Sequence, residues 1–411
     1  MRKIVLMLVA LLFCSSGLAQ TEDAQSNFRF SIGGILEAQF GLVSSGAVLG
    51  NTAFTLKFSG SLGAEDSPTA AFNANLRSNF DAITSTTRVT LGETFITAYV
   101  GAFDLSAGNL LMNWGAVDVL GSVSNLNPSD LTTQTQIAIP AIRAIWNFSD
   151  DTRLEGVLAP GFTPSVLPVF ALPAPTPPPG VTIVGQNPVL DNRPTARLEN
   201  TQYGLRFSSN LNVFDGADFS LSFYGGFRHT PTPTIRLLPT AQAGEFIVQP
   251  VFNYDWIHVL GLETNISLGE IAVRAETSYT FTQDPNGTNP EIGNHAFAFT
   301  AQAEARVAEI GLTGILNLRW QKGEMNQADL FCINAALIAS YALDNRTSLS
   351  AAWVQSLTDG SGVFAPNLSY TLADGLSFKA NAGLNYGALG SSLNPSGVFG
   401  IQIRFGLSLS F

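Results

Sequence analysis

The last thirteen residues of the chain alternate without a break. Phe399, Ile401, Ile403, Phe405, Leu407, Leu409 and Phe411 are apolar, while Gly400, Gln402, Arg404, Gly406, Ser408 and Ser410 between them are small or polar. A period of two puts the two sets on opposite faces of a β-strand, one suited to hydrocarbon and the other to water. The chain as a whole has the same character: 45% of its 411 residues are hydrophobic, 12% are charged, and the mean hydropathy is +0.21. That charged share is about half of what a soluble domain carries. No run of eighteen apolar residues follows the N-terminus, which excludes membrane-spanning helices. A closed sheet can hide its hydrophobicity in alternate positions, so the expected fold is all-β, a transmembrane antiparallel up-and-down barrel.

Carried backward, the alternation lays out eighteen candidate strands, with sixteen as the count if weak segments such as Thr152–Ala159 drop out. The connections alternate in length. Tight turns (Ser149 to Asp151, Asp344-Asn345, Ala373 to Gly375) alternate with long Pro- or Gly-rich segments (Pro160 to Leu198, Arg228 to Asn253, Gln283 to Gly293). Short turns on one side and long loops on the other, with an even strand count, are what an outer-membrane barrel requires.

Met1 to Ala19 reads as a secretory signal peptide: Arg2 and Lys3 form its positive start, Ile4 to Phe13 its apolar core, and Gly17-Leu18-Ala19 a small-x-small cleavage site. Phe13 before Cys14 argues against a lipid-modified cysteine. The expected organisation is therefore a signal peptide over residues 1–19 and a single barrel domain over 20–411, delivered to the cell outer membrane. Loss of Arg2 and Lys3 leaves 18 basic against 31 acidic residues, too acidic a balance for a nucleic-acid partner. Cys332 is then the one remaining cysteine, so no internal disulfide is expected.

Strand parity assigns charges to a side. Arg29, Lys57, Arg77, Arg88, Arg143, Arg153, Arg206, Arg274, Arg306, Arg319, Lys379 and Arg404 fall on the lumen face with Glu37, Glu155, Glu263, Glu276 and Glu304. Glu93 fits neither face. Lys or Arg facing lipid at the midplane costs about 2–4 kcal/mol, which forces this placement. The lumen is expected to be net positive, either as a field favouring anions or as bracing between strands. Trp146, Tyr254, Trp256, Tyr279, Trp320, Trp353 and Tyr370 lie near strand ends, as an interfacial girdle would.

One motif stands out between the fifth and sixth candidate strands. Leu105-Ser106-Ala107-Gly108-Asn109 is followed by Trp114-Gly115-Ala116-Val117-Asp118 and then by Asn125-Leu126-Asn127-Pro128-Ser129-Asp130-Leu131. Over these twenty-odd residues the chain resembles bacterial outer-membrane porin-like families, in which Trp-Gly-x-x-Asp precedes Asn-Pro-x-Asp. It departs from them at Asn109 and Ser124, where Gln and Asp are frequent. The segment is the third long-side loop, which folds inward in general porins. The resemblance therefore implies that Trp114, Asp118, Asn127 and Asp130 line or brace a constriction; a cap on the outer rim is the alternative. The final strand likewise resembles the C-terminal recognition strand of outer-membrane barrels, which implies that Phe411 is the assembly signal read by the barrel-insertion machinery.

His229, His258 and His295 occur singly, without metal-ligand spacing, and no phosphate- or dinucleotide-binding glycine pattern is present. No cofactor, metal or enzymatic activity is expected. The function expected is a channel for small hydrophilic solutes, anionic ones among them, embedded in outer-membrane lipid. A transporter of hydrophobic molecules such as fatty acids and a structural or adhesive surface barrel remain as alternatives, and the sequence leaves the oligomeric state open. Replacing Phe411 with Asp is expected to abolish assembly while synthesis and export continue, read as loss of surface-exposed protein at an unchanged total level.

Overall fold

The structure, a computed structural model, describes all residues except 1–27, 44–47, 65–67, 83–84, 118–119, 132–134, 168–179, 212–215, 325–326, 389–390, 392 and 394–399. The expected signal peptide and most of the proline-rich stretch from Ala174 to Gly180 lie outside the described residues.

The strands are β1 (Phe28–Val43), β2 (Val48–Gly63), β3 (Pro68–Asp81), β4 (Thr86–Val100), β5 (Phe103–Leu110), β6 (Ser129–Asp130), β7 (Thr135–Gln136) and β8 (Ile139–Asn147). They continue as β9 (Thr152–Ala159), β10 (Thr182–Gln186), β11 (Leu190–Asn192), β12 (Gln202–Leu211), β13 (Ala217–Phe227), β14 (Thr232–Pro239), β15 (Glu245–Asn253) and β16 (Trp256–Leu268). The last are β17 (Ile271–Thr282), β18 (Ala296–Val307), β19 (Ile310–Gln321), β20 (Leu330–Ala342), β21 (Thr347–Ser356), β22 (Gly362–Ala373), β23 (Leu376–Tyr386) and β24 (Gly400–Ser410).

Eighteen of these strands form one antiparallel sheet, and β1 pairs with both β2 and β24, so the sheet closes on itself. The expected count of eighteen holds, and Thr152–Ala159 is a full barrel strand. Closure is what a membrane demands, because a sheet edge in hydrocarbon leaves backbone groups unpaired at several kcal/mol each. The alternate residues of the barrel strands, such as Ile401, Ile403, Phe405, Leu407 and Leu409 of β24, form an exposed apolar belt that only lipid can cover. Both termini of the barrel lie at the end of the short turns.

Two features escape a reading by strict alternation. In β4 the register slips: Ala74 pairs with Thr94 and Leu76 with Leu91, so Asn75 faces both Gly92 and Glu93. This β-bulge flips the parity, and the exposed residues change from Val89 and Leu91 below it in sequence to Ile96 above it. That is why Glu93 fitted neither face. At the long-loop end, β10, β11, β14 and β15 form a small separate sheet, with β10 and β11 parallel to β15. Pro-rich segments between barrel strands had suggested only loops there, because strands this short carry no readable period.

The seam between first and last strands ends on an aromatic lock. The Phe411 N–H donates to the Gly34 carbonyl at 3.1 Å and the Gly34 N–H donates to the Phe411 carbonyl at 2.9 Å. The Phe411 ring lies over Gly34, where a Cβ would come within 2.4 Å of Cζ. A side chain at position 34 must therefore push the ring away. Gly34→Val is expected to lower the fraction of protein that migrates as folded barrel before heating, whereas Gly314→Val, at a site with no atom near its Cβ position, leaves it unchanged.

Candidate functional site

The connection from β5 to β8, residues 111–138, does not stay at the rim. Its inner part is held by strands β16 to β19, which are the fifth to eighth barrel strands on from β5 around a ring of eighteen. The loop thus crosses the barrel interior.

Glu276, on β17, makes the principal contact. Its Oε2 accepts the N–H groups of Ala116 at 3.0 Å and Val117 at 3.3 Å, and its Oε1 accepts those of Ser122 and of Val123, the latter at 3.2 Å. The side chain is 1% exposed. Beside it, Glu263 Oε2 accepts the Gly115 N–H at 3.1 Å and pairs with Arg206 at 2.6 Å. The loop carbonyl of Leu120 is held from the other chemical side, by the hydroxyl of Thr300 at 2.9 Å and the amide of Asn317 at 3.3 Å. Leu120 has φ +61°, a left-handed conformation that costs a leucine about 1–2 kcal/mol, so these contacts hold a strained turn. Gly115 has φ +114°, and a Cβ there would meet Glu276 Oε2 at 3.0 Å; the glycine of the Trp-Gly motif is what lets backbone N–H groups close on the carboxylate.

The ends of the loop are stapled by Asn127, which is 4% exposed. Its Oδ1 accepts the Met112 N–H at 2.7 Å, and its Nδ2 donates to the carbonyls of Leu110 at 2.9 Å and Ile137 at 3.0 Å. Both N–H donors and the oxygen of the amide are thereby engaged on backbone. Around this staple Leu110, Met112, Trp114, Val123 and Leu126 pack with Ile139, Ala141, Val157, Ala159, Tyr224, Ile257 and Val259 into a buried apolar cluster. The barrel residues of that cluster point into the lumen. A face expected to be wet is here dry, because the loop covers it. Trp114 packs against Gly204, where a Cβ would lie 2.7 Å from the indole ring.

Of the residues expected at a constriction, Trp114 and Asn127 are therefore buried in the loop's own packing. Asp130 lies in the β6–β7 hairpin, bridged to Val166, and Asp118 lies outside the described residues. The structure places Arg29, Lys57, Arg77, Arg143, Arg206, Arg274, Glu276, Glu304, Arg306, Arg319, Lys379 and Arg404 on the face opposite the apolar belt. It brings Arg206 to Glu263, and Arg274 to Glu304 at 3.3 Å. Lys57, Arg77, Arg143, Arg319, Lys379 and Arg404 have no ion-pair partner among the described residues. Beneath the loop a cavity of about 580 Å³ is bordered by Gly115, Arg153, Arg206, Asp218 and Arg274. Thr300 and Asn317 were not singled out from sequence; as polar residues at lumen parity they look like any others.

Above the loop His229 is buried, its Nδ1 at 2.8 Å from the Thr163 carbonyl and its ring stacked on Phe162. Burial holds its pKa below the ordinary 6.5, so it is neutral at physiological pH. No cluster of three or more His, Cys, Asp or Glu able to hold a metal occurs among the described residues.

A closed eighteen-stranded barrel with an apolar outer belt, a charged interior and an inward-folded third loop has the fold of an outer-membrane porin-like channel. The chain belongs to a family described as a protein of unknown function (DUF1302), whose model matches residues 40–392. No curated protein sequence matches it. Among solved structures it is similar in fold to OpdK of Pseudomonas aeruginosa, determined with vanillate, at 10% identity and a TM-score of 0.58 over 93% of this chain and 98% of that one. OccK5 (OpdH) of the same organism gives 8% identity and a TM-score of 0.56 over 93% and 98%. OccD3 (OpdP) gives 12% and 0.53 over 93% and 91%.

Asn127→Ala leaves three backbone groups, two of them fully buried, without their partner. The folded barrel is expected to lose about 1–3 kcal/mol, read as a lower temperature for the shift from folded to unfolded mobility.

Proposed function

We propose that the protein is a channel for small hydrophilic solutes with a preference for anions, and that the crossing loop forms one side of its constriction. What carries the reading is the fate of the interior charges. Three of the five acids assigned to the lumen face are engaged: Glu263 by Arg206 and the Gly115 amide, Glu304 by Arg274, and Glu276 by four loop amides. Lys57, Arg77, Lys379 and Arg404, on the wall away from the loop contacts, have no ion-pair partner among the described residues. Glu37, Gln39, Lys379, Asn381 and Arg404 share one recess on that wall. Fixed positive charge along a narrow aqueous path concentrates anions and repels cations. The vanillate of the OpdK structure is itself a small carboxylate. The Trp114–Asp130 motif fits an inward-folded third loop of the porin-like kind, and outer-membrane lipid and the barrel-insertion machinery are the partners this implies.

In a salt gradient across a planar bilayer, the reconstituted protein is expected to give open steps with a reversal potential on the anion side, weakening as ionic strength rises and screening shortens. Lys57→Gln, Lys379→Gln and Arg404→Gln combined are expected to move the potential toward the cation side. Asp118→Asn and Asp130→Asn should move it the other way if these two residues line the path. A cation-selective wild type that the lysine and arginine substitutions leave unaltered would sink the proposal.

A further inference from the structure

Glu263 and Glu276 are direct cross-strand partners on β16 and β17. Like charges directly opposite one another in a sheet are destabilising, and both of these carboxylates are almost fully buried. Arg206 neutralises one. Glu276 has no ion pair among the described residues, and its stabilisation comes from loop N–H groups: Ala116 and Val117 on one oxygen, Ser122 and Val123 on the other. The loop is thus the counter-charge of a wall residue. From this geometry we infer that Glu276 is the positioning residue of the constriction: its carboxylate draws Ala116, Val117, Ser122 and Val123 across the lumen and sets the width of the pore.

Two properties make the carboxylate irreplaceable in this role. Both oxygens receive donors, so a side-chain amide, which has one acceptor and presents N–H groups on its other arm, meets two of the four loop donors with donors of its own. In addition, Gly115 and Gly121 each place their Cα so that a Cβ would come 3.0 Å from a Glu276 oxygen, which shapes the cradle to this side chain. Thr300 and Asn317 hold the Leu120 carbonyl from neighbouring strands, so the segment is gripped at its donors and at its acceptor.

A residue that only stabilised the barrel would behave differently from one that positions the loop. Removing one charge of an opposed carboxylate pair relieves repulsion in the wall, so Glu276→Gln should not lower the temperature at which the barrel unfolds. The same substitution frees the loop. The expected results are a noisier, larger single-channel conductance with weaker exclusion of large solutes, and backbone amide exchange at Ala116, Val117, Ser122 and Val123 faster by about tenfold or more. Glu276→Asp, which keeps both acceptor oxygens on a shorter arm, should recover part of the protection.

The inference rests on the channel reading for its conductance arm alone. A silent wild type whose loop amides are protected, and lose that protection in Glu276→Gln, would refute the channel and keep the tether. A folded Glu276→Gln barrel with unchanged amide exchange and unchanged conductance overturns the assignment. So does a Glu276→Gln barrel that unfolds at a lower temperature with its loop amides still protected, since the residue would then serve the wall alone.

Discussion

Everything in this protein follows from the need to pair each backbone N–H and carbonyl where no water can do so. In hydrocarbon an unpaired group costs several kcal/mol, and only a sheet without edges avoids that cost over eighteen strands. The seam at β1 and β24 is therefore as important as any strand pair. Its last contact, the reciprocal bonding of Gly34 and Phe411, uses the final residue of the chain. The aromatic ring over Gly34 then covers backbone that a glycine leaves bare, in the manner of aromatic rescue between neighbouring strands.

The same requirement reappears inside the barrel. A loop that enters the lumen brings donors and acceptors away from the rim, and the wall must receive them. It does so with carboxylates for the N–H groups and with a hydroxyl and an amide for the Leu120 carbonyl. Asn127 does for the loop ends what the wall does for the middle. The apolar cluster around Trp114 then excludes water from one side of the loop, which strengthens these bonds because competing solvent is absent. The consequence for the pore is asymmetric. Glu263, Glu276 and Glu304 are engaged around the loop and its wall, while Lys57, Lys379 and Arg404 have no ion-pair partner among the described residues on the side the loop does not reach.

Much of this was legible from the residues. The barrel strands carry a period of two over eight to sixteen residues, long enough to read, and the one segment marked as weak, Thr152–Ala159, is a strand with those bounds. Glu263 and Glu276 were assigned to the lumen face by parity, but nothing in that assignment indicated that they face each other across two strands or that a loop more than a hundred residues earlier compensates them. Trp114 and Asn127 were singled out by motif. Their burial was not legible, because a turn sequence has the same composition whether it lies on a rim or packs in a lumen. The bulge at Gly92-Glu93 shows the complementary limit: a single inserted residue inverts every later position of β4, and the sequence registers it only as one residue that fits neither face.

The sequence by itself determined the sheet, its two faces and the side on which the strand charges other than Glu93 lie, because side-chain alternation is a property of a single strand and needs no partner to express it. Only the tertiary structure decided which charges are spent and which are free. That depends on register between strands and on where one long loop finds hydrogen-bond partners, and both are set by contacts between residues far apart in the chain.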